Sequence, residues 1–153
     1  MQKDMPIKKL LYEQLKAKLE HKKQTALVAI QAAIESRDNE TKSSVGDKYE
    51  TGRAMMQMEQ ARNEAQLTKI IGLKNELQQI NIEQQSDQII LGSLVFTNRG
   101  NYFIAVGLGK YTIQEEIFYA ISTASPIGQL LLGKKVGDAL QFRGKTFTVK
   151  TIK

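Results

Sequence analysis

Two acids, Asp47 and Glu50, in the run Gly46-Asp47-Lys48-Tyr49-Glu50-Thr51, are the side chains of this sequence best placed for chemistry. They fall where one long helical pattern stops and another begins. If the two helices fold back on each other, the pair sits at the tip of a rod, as far from any hydrophobic core as the chain allows, where an acid can reach something outside its own fold. Spacing gives the same residues a second reading. An acid followed three residues later by a glutamate is close to a capping box, in which Asp47 accepts from the backbone N–H of Glu50 and Glu50 reaches back to that of Asp47. Negative charge in a first helical turn is also favoured by the helix dipole. The two readings are compatible, because a cap would fix the carboxylates in place. The rest of the reactive inventory is thin. There is no cysteine, which excludes disulfides, zinc–thiolate sites and thiol nucleophiles. The one histidine, His21, lies among lysines and reads as a solvated helix residue.

The elements that must position the acids follow from composition and periodicity. In 153 residues, 41% hydrophobic and 25% charged content is ordinary for a globular chain, which argues against disorder and collagen-like structure. No run approaches the roughly 20 apolar residues of a membrane span, and the charged start Met1-Gln2-Lys3-Asp4 opens no apolar leader. A soluble, cytoplasmic, monomeric protein with no membrane partner is expected. Composition changes near residue 84. Before it the residues are mostly strong helix formers; after it Gly, Thr and the β-branched and aromatic residues take over. Residues 7–38 place Tyr12, Leu15, Leu19, Ala26, Ile30 and Ala33 on one helical stripe. Residues 50–83 repeat the pattern with Met55, Met58, Ala61 and Ala65, then Ile70, Leu73, Leu77 and Ile80. The polar stretch from Asp38 to Val45 reads as the connection. Two stripes so joined describe an antiparallel helical hairpin, residues 1–84, with helices of roughly 50 Å.

Residues 85–153 form the second predicted domain. Gln88–Phe96 reads as a strand, Thr97–Asn101 as a turn and Tyr102–Gly107 as a second strand, after which the chain passes through Gly107 and Gly109 to a third strand in residues 115–121. The clearest local signal is Ser125-Pro126-Ile127-Gly128-Gln129-Leu130-Leu131-Leu132-Gly133, an N-cap, a proline at the first helical position, a short apolar helix and a glycine stop. Residues 139–142 and 146–152 then make a hairpin about Arg143-Gly144-Lys145. The predicted fold class is α+β, a helical hairpin followed by a small antiparallel sheet with one short helix against it.

Charge is segregated along this plan. The formal net charge is +6, which suits an acidic partner. Residues 1–24 hold seven lysines against three acids, whereas residues 35–50 hold five acids against Arg37, Lys42 and Lys48. The hairpin is therefore basic near its base and acidic near its tip. The lysines alone also read as an ordinary solvated helix face.

Two stretches, one in each half, resemble the bacterial transcript cleavage factors of the Gre family. Ser125-Pro126-Ile127, Leu131, Gly133-Lys134 and Gly137-Asp138 look like that family's Ser-Pro-Ile/Leu signature with its Gly-Lys ending and Gly-Asp turn. Gly46-Asp47 and Glu50 match the Gly-Asp-x-x-Glu tip of cleavage-competent members. The resemblance implies an N-terminal helical hairpin and an FKBP-like C-terminal domain. It also implies a non-enzymatic accessory factor that binds RNA polymerase at the secondary channel and completes the polymerase's active site. Carried over, Asp47 and Glu50 would help hold a Mg²⁺ shared with the polymerase, no cofactor being bound alone, and position water to cut the 3′ end of backtracked RNA. Hard oxygen ligands suit that ion, which often binds through one or two carboxylates. Ser125, Pro126, Ile127, Gly133 and Lys134 would belong to the polymerase-docking region or serve the fold alone. Lys16, Lys18, Lys22 and Lys23 would contact phosphates of the nascent RNA.

The chain departs from the family in two places: the connection Asp38–Val45 is longer than a tight family tip, and the residues after the glutamate differ. Thr51-Gly52-Arg53-Ala54 stands where members usually carry Asn and, a few residues on, Tyr. This keeps a second reading in view, a secondary-channel regulator without cleavage activity. A plain coiled-coil interaction module with the acids as caps is a third. Prolyl isomerase activity would rest on the FKBP-like fold alone, and fold does not determine function.

Overall fold

The computed structural model describes the backbone of residues 5–42 and 46–153 and the side chains of residues 5–39 and 51–153. Helix α1 runs Ile7–Lys42 and helix α2 runs Gly46–Gln78. The segment from Asp38, expected as part of a long connection, instead continues α1 to Lys42, so that only residues 43–45, outside the described residues, separate the helices. Nothing in Asp38-Asn39-Glu40-Thr41-Lys42 breaks a helix, and polarity alone does not end one. The helices are antiparallel. Lys74 Nζ lies 2.6 Å from Glu20 Oε2, and Arg37 Nη1 donates to Gln60 Oε1 at 3.1 Å.

Residue contacts divide the chain into two compact units, Ala17–Asn75 and a unit joining Met1–Lys16 to Glu76–Lys153. In the first, Leu19, Ala26 and Ile70 are buried, with Ile30 and Ala33 partly so, as the α1 stripe requires. The α2 stripe differs from expectation. Met55 and Met58 are each 66% exposed, and Ala61 and Ala65 also face solvent. The covered row is Met56, Gln60, Asn63, Leu67 and Ile70, spaced four, three, four and three apart, a strict heptad alternation. Leu67 and Ile70 set the phase, and extending it toward Gly46 lands on the polar Asn63 and Gln60 before reaching Met56. The apolar reading followed Met and Ala, helix formers that tolerate water on an exposed face.

The second unit holds six strands: β1 Leu94–Thr97, β2 Gly100–Ile104, β3 Gly109–Ile113, β4 Glu116–Ile121, β5 Ala139–Phe142 and β6 Lys145–Ile152, with helix α3, Pro126–Leu131, between β4 and β5. Their order in the sheet is β3-β4-β2-β1-β6-β5. Neighbours are antiparallel except β2 and β4, which run parallel with Tyr102 opposite Tyr119. Sequence reading expected no parallel pair and passed over β3. The first strand also starts later than expected, at Leu94, with Gln88 making a single bridge to Lys135. The β5–β6 hairpin is present, closed by a two-residue turn with Arg143 at φ 53° and Gly144 at φ 77°, the left-handed pair that matches strand twist.

Strand alternation gives the sheet two apolar faces. On one, Val95, Ile104, Leu140, Phe147 and Val149 join Ile127 and Leu131 of α3 in a continuous core. On the other, Leu94, Phe103 and Phe118 are fully buried, and Phe96 meets Phe118 edge-on at 5.9 Å between centroids. Burying each such phenylalanine contributes about 2–3 kcal/mol. The hairpin base belongs to the same unit: Leu11, Leu15, Leu77 and Ile80 are buried, and Tyr12 Oη donates to the Leu77 carbonyl at 3.2 Å. The architecture is α+β, an N-terminal antiparallel helical hairpin followed in the chain by a largely antiparallel sheet with one short helix.

Candidate functional site

The hairpin turn places Asp47 second in α2 and Glu50 one turn later. Positions three apart on a helix share a face, so the backbone aligns the two acids, whose side chains lie outside the described residues. With α2 starting at Gly46, Asp47 lies inside the helix, whereas a capping box needs its acid just before it. The favourable interaction of first-turn acids with the helix dipole applies to Asp47 directly. Among the described residues no group of three His, Asp or Glu side chains could hold a metal. As a donor type, carboxylate oxygen fits Mg²⁺, which often binds through one or two carboxylates.

Along the stem, the seam that leads toward this turn is polar. Arg37 bridges to Gln60, Gln60 Nε2 donates to Glu64 Oε1 at 3.1 Å, and Arg37 Nε lies 3.8 Å from Asp38 Oδ1. Further along, the Glu20 carboxyl is held below its ordinary value. The Lys74 hydrogen bond is the main cause, followed by the Gln24 hydrogen bond and the charges of Lys23 and Lys74.

The four lysines expected to meet RNA do not make one patch. At about 100° per residue, Lys16 and Lys23 fall on one flank of the buried α1 stripe, and Lys18 and Lys22 on the other. Lys16 is 4.0 Å from Glu13 and lies over the Tyr12 ring at 5.7 Å from its centroid. Lys23 bears on Glu20 through its charge. The structure thus presents two basic edges along the hairpin.

The signature residues around α3 build local structure. Ser125 caps the helix, its Oγ accepting from Gly128 N at 3.1 Å and donating to Ser122 O at 2.8 Å. Pro126 takes the first helical position and Ile127 enters the core. Leu132 leaves the helix at ψ 131° and Gly133 turns the chain at φ 82°, a left-handed conformation other residues rarely adopt. Its N–H donates to Ile89 O at 2.9 Å, and Lys134 O accepts from Ile89 N at 2.8 Å. Asp138 Oδ2 then accepts from Lys135 N at 2.8 Å, closing the Gly137-Asp138 turn.

No protein-family model matches the chain. Curated relatives do. Proteins named transcription elongation factor GreA from Thermotoga petrophila, Thermotoga maritima and Thermotoga sp. strain RQ2 are each 30% identical over 134 residues, covering 86% of this chain and 83% of the relative. The chain belongs to the Gre family of transcription elongation factors. A solved structure of the transcription factor Gfh1 shares 25% identity over 92% of both chains, at a TM-score of 0.34 too loose to carry a structural argument.

On this Gre-family chain, sequence reading missed one surface beside the signature. Leu130, Leu132 and Val136 are exposed, Val136 at 59%, next to the α3 end that Gly133 and Lys134 shape. The signal was present. Three consecutive leucines at the end of a helical pattern would turn through about 200° between first and last, so Leu130-Leu131-Leu132 cannot all face one sheet; α3 ends at Leu131, and of the three only Leu131 is buried.

Proposed function

We propose that this Gre-family factor binds RNA polymerase at the secondary channel and promotes cleavage of backtracked nascent RNA, with Asp47 and Glu50 as the acting acids. The observation that carries the reading is their position: one helical turn apart on the backbone, at the start of the second of two antiparallel helices. In this reading residues 1–84 deliver the acids and residues 85–153 dock. Leu130, Leu132 and Val136, beside the Ser125–Lys134 signature, offer apolar area for docking. The carboxylates of Asp47 and Glu50 would contribute oxygen ligands to a Mg²⁺ shared with the polymerase and orient water against the RNA 3′ end. Held by these two residues beside the polymerase's own metal, such an ion would supply one half of a two-metal clamp on the attacking and leaving oxygens. Lys16, Lys18, Lys22 and Lys23, on two edges of α1, would draw the phosphates of extruded RNA along the stem, with salt-dependent strength. The chain supplies part of an active site and is no enzyme by itself.

A second reading, channel occupancy without cleavage, is favoured by Thr51-Gly52-Arg53-Ala54 after the glutamate. One experiment separates the two. Purified protein is added to a stalled, backtracked elongation complex and RNA 3′ cleavage is followed against Mg²⁺. The expected result is stimulated cleavage, lowered about 100-fold in Asp47→Ala and Glu50→Ala, or about 2.7 kcal/mol of barrier, with polymerase binding retained. Unchanged cleavage in both variants removes the role assigned to the acids. Binding without any cleavage by the parent favours the regulator.

A further inference from the structure

The first turn of α1 contains no acid and carries Lys8 and Lys9. Cations at the positive end of a helix dipole are unfavourable, and a bound anion would relieve them. That turn forms one wall of a cavity of about 440 Å³, whose other walls come from the segment after α2 and the end of β6, all within one compact unit. Its volume falls in the range of small-molecule sites. Among the described residues its lining carries Lys8, Lys9 and Lys153 against one acid, Glu83, while Ile7, Ile82 and Ile152 supply apolar surface.

Lys8 is the informative residue. It is 8% exposed, and burial lowers its pKa. Its ammonium donates to Lys153 O at 3.2 Å, an oxygen that also accepts from Leu94 N at 2.9 Å. Among the described residues Lys8 has no carboxylate partner. An ammonium carries three donors, and among the described residues this one has a single acceptor, itself shared, so an anion would add a bond the ammonium can still make.

We propose that this cavity binds a small organic phosphate, with its phosphoryl group on Lys8 and Lys9 and its apolar body against Ile7, Ile82 and Ile152. Phosphate is favoured over carboxylate because a dianion answers two or three lysines, which act as point charges toward it. The apolar walls call for a body that a bare phosphate or a sugar phosphate lacks. The site would operate whether or not the chain works at RNA polymerase.

The test is calorimetric titration of the whole chain, without polymerase, using adenosine monophosphate, glucose 6-phosphate, inorganic phosphate and hexanoate as probes. Adenosine monophosphate is expected to bind with Kd below about 1 mM and at least about tenfold tighter than the other three. Lys9→Gln, at an exposed position, is expected to weaken that binding about tenfold, a change of about 1.4 kcal/mol, with unchanged circular dichroism, and Lys8→Met to do the same or more. Binding no tighter than inorganic phosphate, hexanoate binding as well as the nucleotide, or undiminished affinity in folded Lys9→Gln overturns the proposal. Glucose 6-phosphate matching the nucleotide would overturn the part assigned to the isoleucines.

Discussion

The Ser125 hydroxyl serves two backbone groups at once, accepting from Gly128 N and donating to Ser122 O. Ser125→Ala is expected to cost about 1 kcal/mol in urea unfolding, the usual loss for a helix cap. Gly128 sits under the same constraint from the other side. A Cβ there would run into Ser122 O and come within 2.7 Å of Ser125 Oγ, so Gly128→Ala should cost about 1–3 kcal/mol through overpacking. The two residues differ in how sequence shows them: Ser125-Pro126 announces a helix start by its own chemistry, whereas the need for glycine at 128 comes from the Ser122 carbonyl and is silent in the string. Glu20 carries a pH prediction. Its folded carboxyl lies below the ordinary 4.5, so its contribution is complete above the unfolded value and is lost as pH falls through the lower folded one. Acid unfolding of Glu20→Gln should accordingly be flatter than the parent's below about pH 4.5, as followed by helical circular dichroism.

At the level of elements, the phase of α2 decides which substitutions matter. Met58→Gln should change stability by less than about 0.5 kcal/mol, whereas Ile70→Ala, which empties a 3% exposed position, should cost about 2–5 kcal/mol. Urea titration of both variants checks the phase, and the reverse ranking would restore the methionines to the seam. The helices themselves were legible because helix-forming residues run without interruption. Their facing was not, since Gln60 and Asn63 in the seam break the apolar pattern that reveals a face. The α3 helix and the β5–β6 hairpin were equally readable from local turn chemistry. Strand β3 was hidden for a physical reason: it is an edge strand, mostly exposed, with burial complete only at Ile113, so its sequence has little apolar alternation to display. The parallel β2–β4 pair depends on long-range placement that no local window contains. Of the candidate site, the string shows the types and spacing of the proposed acids, and the exposed Leu130 and Val136 surface is found only by asking which leucines α3 can bury.

For the molecule as a whole, burial is distributed unevenly. Leu94, Phe103 and Phe118 are fully enclosed, while the covered row of α2 thins to Met56, Gln60 and Asn63, none of them fully buried. Native-state hydrogen exchange by mass spectrometry should therefore show strongest protection in β1, β2 and β4 and markedly weaker protection in α2 residues 56–63, because local opening there exposes little apolar surface. Uniform protection along α2 would contradict this. The polar contacts in that thin seam do something leucines cannot. A stem zipped by interchangeable apolar side chains can slip one helix past the other by a heptad, about 10 Å of travel, and still find partners. Glu20 with Lys74 and Arg37 with Gln60 mate one residue to one residue, so any slip leaves charges and amides unmatched. The hairpin gives up some cohesion and gains a fixed calibration, as a gauge must, and a one-heptad deletion from a single helix should be far less tolerated than matched deletions from both.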